Sequence, residues 1–329
     1  MNALVTGATG FLGKSLALNL QQLGWNVTAT GRNPAIGSEL LSQNIRFVPV
    51  DLRDPIKTNL LCADQDVVYH CAALSTPWGK YADFYSSNVQ ATEHIVQGCM
   101  AHNVGRLVHV STPSVYLDYT HRLNIKESAP LPFKFANAYA ATKRLAELVV
   151  KKAASAGLAA IILRPRAIIG PGDPSIFPRL IKANSSRGIP LIDGGSIELD
   201  LTYIDNVVEA LVLCGTANAS ASGEIYNITN QEPVTFIQVL HQLFDLLELP
   251  LKTKPVSFAN AYRLAYGMEL LAKVLPGNKE PLLTRYTVGV LGRSQTLDIT
   301  KAVTNLGYKP KVSLTEGLGR FAAAWRAKL

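Results

Sequence analysis

Tyr139 and Lys143 stand four residues apart in AYAATKRLAELVVKKAA, a stretch whose spacing of apolar positions marks a helix, so both side chains share one helical face. A phenol of ordinary pKa ~10 exchanges protons poorly near neutrality. A neighbouring ammonium stabilises the phenolate, lowers that pKa and makes the tyrosine a general acid or base. No other tyrosine in the chain has a lysine four positions on. Upstream, the apolar run Arg106 to Val110 is expected to be a strand that delivers Ser111 and Thr112 to its C-terminal end. Thr112 is then placed to hold a carbonyl or carbinol oxygen. The same hydroxyls would also satisfy the turn at Pro113 and Ser114.

These side chains need a scaffold, and the first thirteen residues, MNALVTGATGFLG, indicate which. Asn2 to Thr6 form an expected buried strand, Gly7, Gly10 and Gly13 a turn, and Phe11 to Leu23 a helix. The first glycine permits the tight turn, the second lets backbone approach a pyrophosphate, and the third lets helix and strand pack closely. Phosphates would sit at the helix N-terminus. The second strand, Asn26 to Thr30, ends in Gly31 and Arg32, with no carboxylate before Glu39. A carboxylate there would accept from the ribose hydroxyl of NAD, whereas arginine accommodates the 2′-phosphate of NADP, so NADP(H) is favoured over NAD(H). Asp51, after the strand Ile45 to Val50, would accept from the adenine amine or cap the next turn. Ala72 and Ala73 are small where a coenzyme must pass, and Ser75 to Ser87 is expected to loop over the cleft before a helix from Asn88 to Met100.

With a further strand at Ala159 to Leu163, residues 1–170 contain about six strands alternating with helices, the pattern of a doubly wound parallel sheet that binds a dinucleotide. Residues 171–329 are less regular: a helix at Ile176 to Arg187, a loop DGGSIELD, a helix starting near Asp205, a strand in GEIYNIT and a helix from Phe236 to Leu247. They are expected to form a smaller substrate region, packed on the first and interleaved with it. Asn260 to Leu275 forms an amphipathic helix that would serve as core, lid or membrane-surface element. A last helix begins near Ser313.

Composition excludes several classes. The net charge of +8 is scattered, without a basic block or a nucleic-acid-binding signature, so nucleic acid is not the expected partner. No apolar run is long enough for stable membrane insertion. The four cysteines lack paired spacing, which points to a reducing compartment, with neither disulfides nor a metal site. With no signal-type stretch at the N-terminus, the expected location is cytoplasmic.

TGATGFLG at the N-terminus, DL at 51–52, HCAA at 70–73, STPSVY at 111–116, YAATK at 139–143, RPRAIIGPGD at 164–173, TYIDNVVEA at 202–210 and LGYKP at 306–310 together resemble the extended short-chain dehydrogenase/reductase family. The resemblance implies a Rossmann domain with a smaller C-terminal substrate domain, a catalytic Thr112, Tyr139 and Lys143, and a homodimer formed through helices of the first region. The coenzyme contacts then expected are Gly7, Thr9, Gly10, Phe11, Leu12, Gly13, Arg32, Asp51, Leu52, Ala72, Ala73, Ser111, Tyr139, Lys143 and Pro165, with Ser75, Thr112 and Arg166 toward a small-molecule substrate. Two branches compete. Nucleotide-sugar epimerases and dehydratases with tightly bound NAD usually place an arginine where Leu199 stands, and losing that contact to a diphosphate costs ~1.5–3 kcal/mol. GPGDPSIFPRLIKA and TYIDNVVEA look instead like the 3β-hydroxysteroid dehydrogenase-like branch, including 2-alkyl-3-oxoalkanoate reductases, which act on apolar ketones or secondary alcohols. On that branch Arg166 would pair with a substrate carboxylate, or with an acid inside the fold.

Overall fold

A computed structural model describes residues 1–275 and 279–328. β1 (Asn2–Thr6), α1 (Phe11–Gln22), β2 (Asn26–Gly31), α2 (Pro34–Ser42), β3 (Arg46–Pro49), α3 (Pro55–Leu61) and β4 (Val67–His70) alternate as strand and helix. Asn33 and Asp54 start α2 and α3, accepting from first-turn amides ahead of a proline that has no amide to satisfy. α4 (Tyr81–Phe84) widens into a π turn, Tyr85–Gln90, before α5 (Ala91–Ala101), and β5 (Arg106–Val110), β6 (Arg122–Ile125), α6 (Ala138–Ser155) and β7 (Ala160–Pro165) follow. Beyond these come β8 (Ile168–Ile169), α7 (Ile176–Ser186), β9 (Ile189–Ile192), β10 (Glu198–Leu199), β11 (Thr202–Tyr203), α8 (Ile204–Thr216) and β12 (Ile225–Ile228). The chain ends through β13 (Val234–Thr235), α9 (Phe236–Leu246), β14 (Thr253–Val256), α10 (Phe258–Val274), α11 (Arg285–Gly292), β15 (Gln295–Leu297), α12 (Thr300–Leu306) and α13 (Leu314–Arg326).

Seven parallel strands form the main sheet in the order β12, β7, β5, β4, β1, β2, β3. Both faces are covered, and the unbroken apolar strands follow from that. Ala3 and Val5 of β1, Val108 of β5, and Ile161 and Leu163 of β7 pack with α1, α8 and α12 on one face. The alternating Leu4, Leu107, Ala160 and Ile162 pack with α3, α5 and α6 on the other. Strand order reverses between β1 and β4, which opens a crevice at the carboxyl ends of those strands.

Six strands were expected before residue 170, and the seventh comes from beyond it. β12 pairs with β7, and α8 packs beneath β4, β5 and β7, because the apolar IYNI and NVVEALVLC segments can bury both faces only by returning to the large sheet. The smaller lobe carries a four-stranded sheet ordered β13, β10, β15, β6 and its own core from α7, α9 and α13. Part of the expected loop DGGSIELD is therefore strand β10, and β6, whose polar–apolar alternation in RLNI lasts only four residues, was not expected either.

The expected loop from Ser75 to Ser87 is also shorter, since helix begins at Tyr81. Asn88 does not start a helix but lies inside the π turn, whose extra residue breaks the 3.6 periodicity. That turn seats the Asn88 amide on both sides of the Leu74 peptide, accepting from its N–H (2.7 Å) and donating to its carbonyl (3.1 Å). No described helix is long and apolar enough to cross a membrane. All four cysteines are free. α10 packs Ala261, Ala265 and Glu269 inward and leaves Leu264, Leu271 and Val274 exposed.

Candidate active site

Gly7 takes φ +67°, and a Cβ on it would lie 2.7 Å from the Ala72 backbone. A side chain at Gly13 would meet the Gly7 carbonyl at 2.3 Å, so helix and strand touch there as backbone. Gly10, at the start of α1, is different: its nearest neighbour would be the Gly7 oxygen at 3.3 Å. No side chain caps α1. Its first amides and positive dipole end therefore open onto the crevice, as a pyrophosphate requires. Phe11 and Leu12 direct their side chains into the packing beneath, and Thr9 lies against Gly31, where a Cβ would come within 2.5 Å of the Thr9 hydroxyl oxygen.

Arg32 is exposed at the end of β2 and acts on Asp51. Asp51 takes the turn-capping place expected as its alternative, with its side chain still 39% exposed. Its carboxylate is held by the Arg53 guanidinium (Nε to Oδ1, 3.0 Å) and backbone amide, which bring its pKa down to about 2. The carboxylate thus caps its own turn, as Asp side chains do. Leu52 is buried, with its carbonyl accepting from His94 Nδ1 at 2.8 Å. Ala72 packs on Gly7, Ala73 is exposed, and Ser75 follows the clamped Leu74 on the exposed side of the loop. Pro165 closes β7 opposite Ile228.

Ser111, expected toward the coenzyme, is instead turned inward, donating to Glu147 Oε1 at 2.6 Å. Glu147 is fully buried and paired with Arg164 (2.6 Å), which in turn reaches the Tyr116 hydroxyl. Burial pushes the Glu147 carboxyl up, but Arg164, Ser111 and Arg144 pull it down further, and it stays ionised. Glu147 is one turn beyond Lys143 on the face that carries Tyr139, so the same periodicity marks it as a buried charge.

Thr112 holds the open position. Its Oγ1 accepts from the Ser114 amide (3.1 Å) and donates to Ser114 Oγ (3.1 Å), and it lies near enough to the Tyr139 phenol to act on its pKa. Asn137 caps α6 through the Ala140 amide (2.9 Å) and thereby fixes the turn that carries Tyr139. Tyr286 of α11, which nothing in the sequence singled out, brings its hydroxyl to 2.8 Å from Ser114 Oγ and faces Tyr139. Tyr286 also lines a cavity of about 330 Å³ bounded by Pro77, Trp78, Phe84, Asn137 and Ala138, with Lys80, Lys273 and the Glu269–Arg285 pair at its wall.

The electrostatics of the pair differ from expectation. Lys143 Nζ donates to the Val110 carbonyl (2.5 Å) and to His109 Nε2 (3.2 Å), and no hydrogen bond joins it to Tyr139. Burial brings Lys143 down to about 8 against the opposing pull of Glu147. Burial, with Lys143 beside them, keeps His70 (about 3) and His109 neutral. With the ammonium as donor, His109 Nδ1 carries the proton and has no partner among the described residues. The Tyr139 phenol is pushed up, not down: burial and Tyr286 outweigh the Thr112 bond. A proton held that firmly suits an acid that donates to a developing alkoxide. No group of three His, Cys, Asp or Glu side chains among the described residues could hold a metal ion.

A doubly wound sheet with an uncapped glycine turn and a Thr–Tyr–Lys set at its carboxyl edge defines a dinucleotide-dependent oxidoreductase. Residues 3–229 match the model of the NAD dependent epimerase/dehydratase family. The chain is 36% identical over 329 residues to 2-alkyl-3-oxoalkanoate reductase of Stenotrophomonas maltophilia, covering 98% of this chain and 99% of that one. It is 35% identical to 3beta-hydroxysteroid-dehydrogenase/decarboxylase isoform 1 of Arabidopsis thaliana, over 96% of this chain and 78% of that one. The structure of MoeE5 in complex with UDP-glucose and NAD superposes with a TM-score of 0.79 at 25% identity, covering 100% of this chain and 99% of that one. The chain belongs to the NAD dependent epimerase/dehydratase family, the extended short-chain dehydrogenase/reductases, and is an NAD(P)-dependent dehydrogenase/reductase.

Proposed function

We propose that this enzyme interconverts an apolar ketone and its secondary alcohol with NADP(H), using Tyr139 as the proton donor to the carbonyl oxygen. The observation that carries the reading is buried Thr112 at the carboxyl end of β5 with half-buried Tyr139 acting beside it, joined through Ser114 and Tyr286 to a cavity walled by Pro77, Phe84 and Ala138. The coenzyme residues fit the group: the uncapped start of α1 for the pyrophosphate, and small Gly7 and Ala72 where backbones touch. When bound, the nicotinamide supplies the hydride. Thr112 holds the substrate oxygen, Tyr139 passes its proton to that oxygen, and Lys143, anchored by Val110 and His109, supplies positive charge against the phenolate left behind. Leu199 is 7% exposed in β10, an apolar position that supports a ketoreductase over a nucleotide-sugar enzyme.

Preference for NADP(H) is supported at the end of β2. Thr9 fills the space a carboxylate side chain at position 31 would need, and Arg32 is exposed beside it. The four free cysteines support a cytoplasmic site, and exposed Met100 on α5 and Leu148 on α6 support a homodimer through helices of the large sheet. The test is NADPH and NADH oxidation with apolar ketones, run beside extraction of coenzyme from the purified protein. The account expects turnover with release of coenzyme and the higher kcat/KM with NADPH. Coenzyme retained through purification, with ketones left unreduced, would favour the epimerase alternative.

A further inference from the structure

Tyr286 has no part in the mechanism above, yet the fold holds it firmly at the cavity. It lies in the first turn of α11, which Thr284 caps by accepting from the Thr287 amide (3.1 Å). Glu269 of α10 grips the preceding residue twice, accepting from the Arg285 amide and from its Nε, each at 2.7 Å. The Arg285 guanidinium also lies over the Tyr266 ring, 5.0 Å from its centroid. From that anchored turn the Tyr286 hydroxyl comes to 2.8 Å from Ser114 Oγ, 172 residues away in sequence. Ser114 Oγ is in turn 3.1 Å from Thr112 Oγ1, so three hydroxyls stand in a row that runs from the cavity to the end of β5.

The protons along this row can be counted, since each hydroxyl has one to give and two lone pairs to fill. Thr112 Oγ1 already accepts from the Ser114 amide as it caps the turn Pro113–Tyr116, which leaves it one lone pair. While its own proton rests on Ser114 Oγ, it has none to offer a substrate. Reversing the row changes that. When Tyr286 donates to Ser114, the Ser114 proton turns to Thr112, both Thr112 lone pairs are filled, and the Thr112 proton is free to point into the site. Buried Arg166, a cation with donors only and no partner for its Nε among the described residues, acts on Tyr286. Its charge draws the phenol's lone pairs and so favours the orientation in which Tyr286 donates. Successive donations along such a row strengthen one another. We propose that Tyr286 is a positioning residue, which donates to Ser114 and through it turns the Thr112 hydroxyl proton onto the substrate carbonyl oxygen. This rests on the ketoreductase reading and adds the residue that sets the direction of the Thr112 bond.

The experiment follows NADPH oxidation with 2-nonanone and cyclododecanone in wild type, Tyr286→Phe, Ser114→Ala and Thr112→Val. Two double variants, Tyr286→Phe with Ser114→Ala and Tyr286→Phe with Thr112→Val, complete the set. Phenylalanine keeps the ring at the cavity and removes only the hydroxyl. Tyr286→Phe should lower kcat roughly 3- to 10-fold, the range for one hydrogen bond, with KM for NADPH within about 2-fold of wild type. Thr112→Val loses the donor itself and should fall roughly 10²-fold. The losses should not multiply, because all of them act through Thr112. Tyr286→Phe should therefore slow neither Ser114→Ala nor Thr112→Val by more than about 2-fold. Losses that multiply in both double variants overturn the proposal, and so does Tyr286→Phe with wild-type kcat. If Tyr286→Phe does not fold, Ser114→Ala and Thr112→Val form the same cycle one link along, and multiplying losses there overturn it equally. Multiplying losses in an enzyme that reduces the ketones leave the reductase standing and remove the row. A wild type that reduces neither ketone removes the ketoreductase reading, and the proposal with it.

Discussion

At the start of α1 the groups facing the crevice are backbone amides around three glycines, and the geometry is set within seven residues of sequence, Gly7 to Gly13. Past β5 and β7 the groups are side chains, namely Thr112, Tyr139, Lys143, Arg166 and Tyr286, drawn from four separate stretches and held by buried charge and long-range hydrogen bonds. The coenzyme end is a local structure. The substrate end exists only once the sheet, α6 and α11 have packed together.

The largest effect expected from breaking this contrast is at Glu147. Its replacement by Gln strands the buried Arg164 and should cost roughly 3–5 kcal/mol, read from denaturant unfolding. A loss below 1 kcal/mol would show that the ion pair does not hold the substrate end together. Within the coenzyme end, Gly13 and Gly10 should separate. Gly13→Ala drives a Cβ into the Gly7 carbonyl and should destabilise the fold by roughly 1–3 kcal/mol. Gly10→Ala meets nothing closer than 3.3 Å, so it should leave the melting temperature nearly unchanged while weakening coenzyme binding, measured by fluorescence titration. The smallest effect is one of pH. Lys143, lowered to about 8 by burial, is charged below that pH and loses its proton above it, so kcat/KM should fall on the alkaline side with a break near 8. The Tyr139 phenol, pushed up by burial, remains protonated through that range, and a profile flat to pH ~10, where an unperturbed lysine titrates, would exclude Lys143 as the group responsible.

Legibility in the sequence follows the same division. Strand, glycine turn and helix were plain because each glycine answers a backbone requirement within a few residues. Tyr139 and Lys143 were plain as a helical pair, but the sense of the Tyr139 shift was not. It depends first on burial, which only the packed fold creates, then on Tyr286, well over a hundred residues away, while His109 and Val110 draw the Lys143 ammonium onto β5. Ser111 carried the right chemistry for ligand contact, but its hydroxyl is given to Glu147, a partner 36 residues on that no local pattern announces. Arg164 and Arg166 look alike in RPR, and only packing reveals that one is satisfied and the other is not.

The central claim is that Tyr139 supplies the proton. Its most direct test is single-turnover oxidation of bound NADPH by a reducible ketone in wild type and Tyr139→Phe, with coenzyme affinity measured in parallel. The account predicts a rate lower by roughly 10²- to 10⁴-fold in the variant, with coenzyme affinity nearly intact. A variant that reduces the ketone at close to the wild-type rate would contradict it.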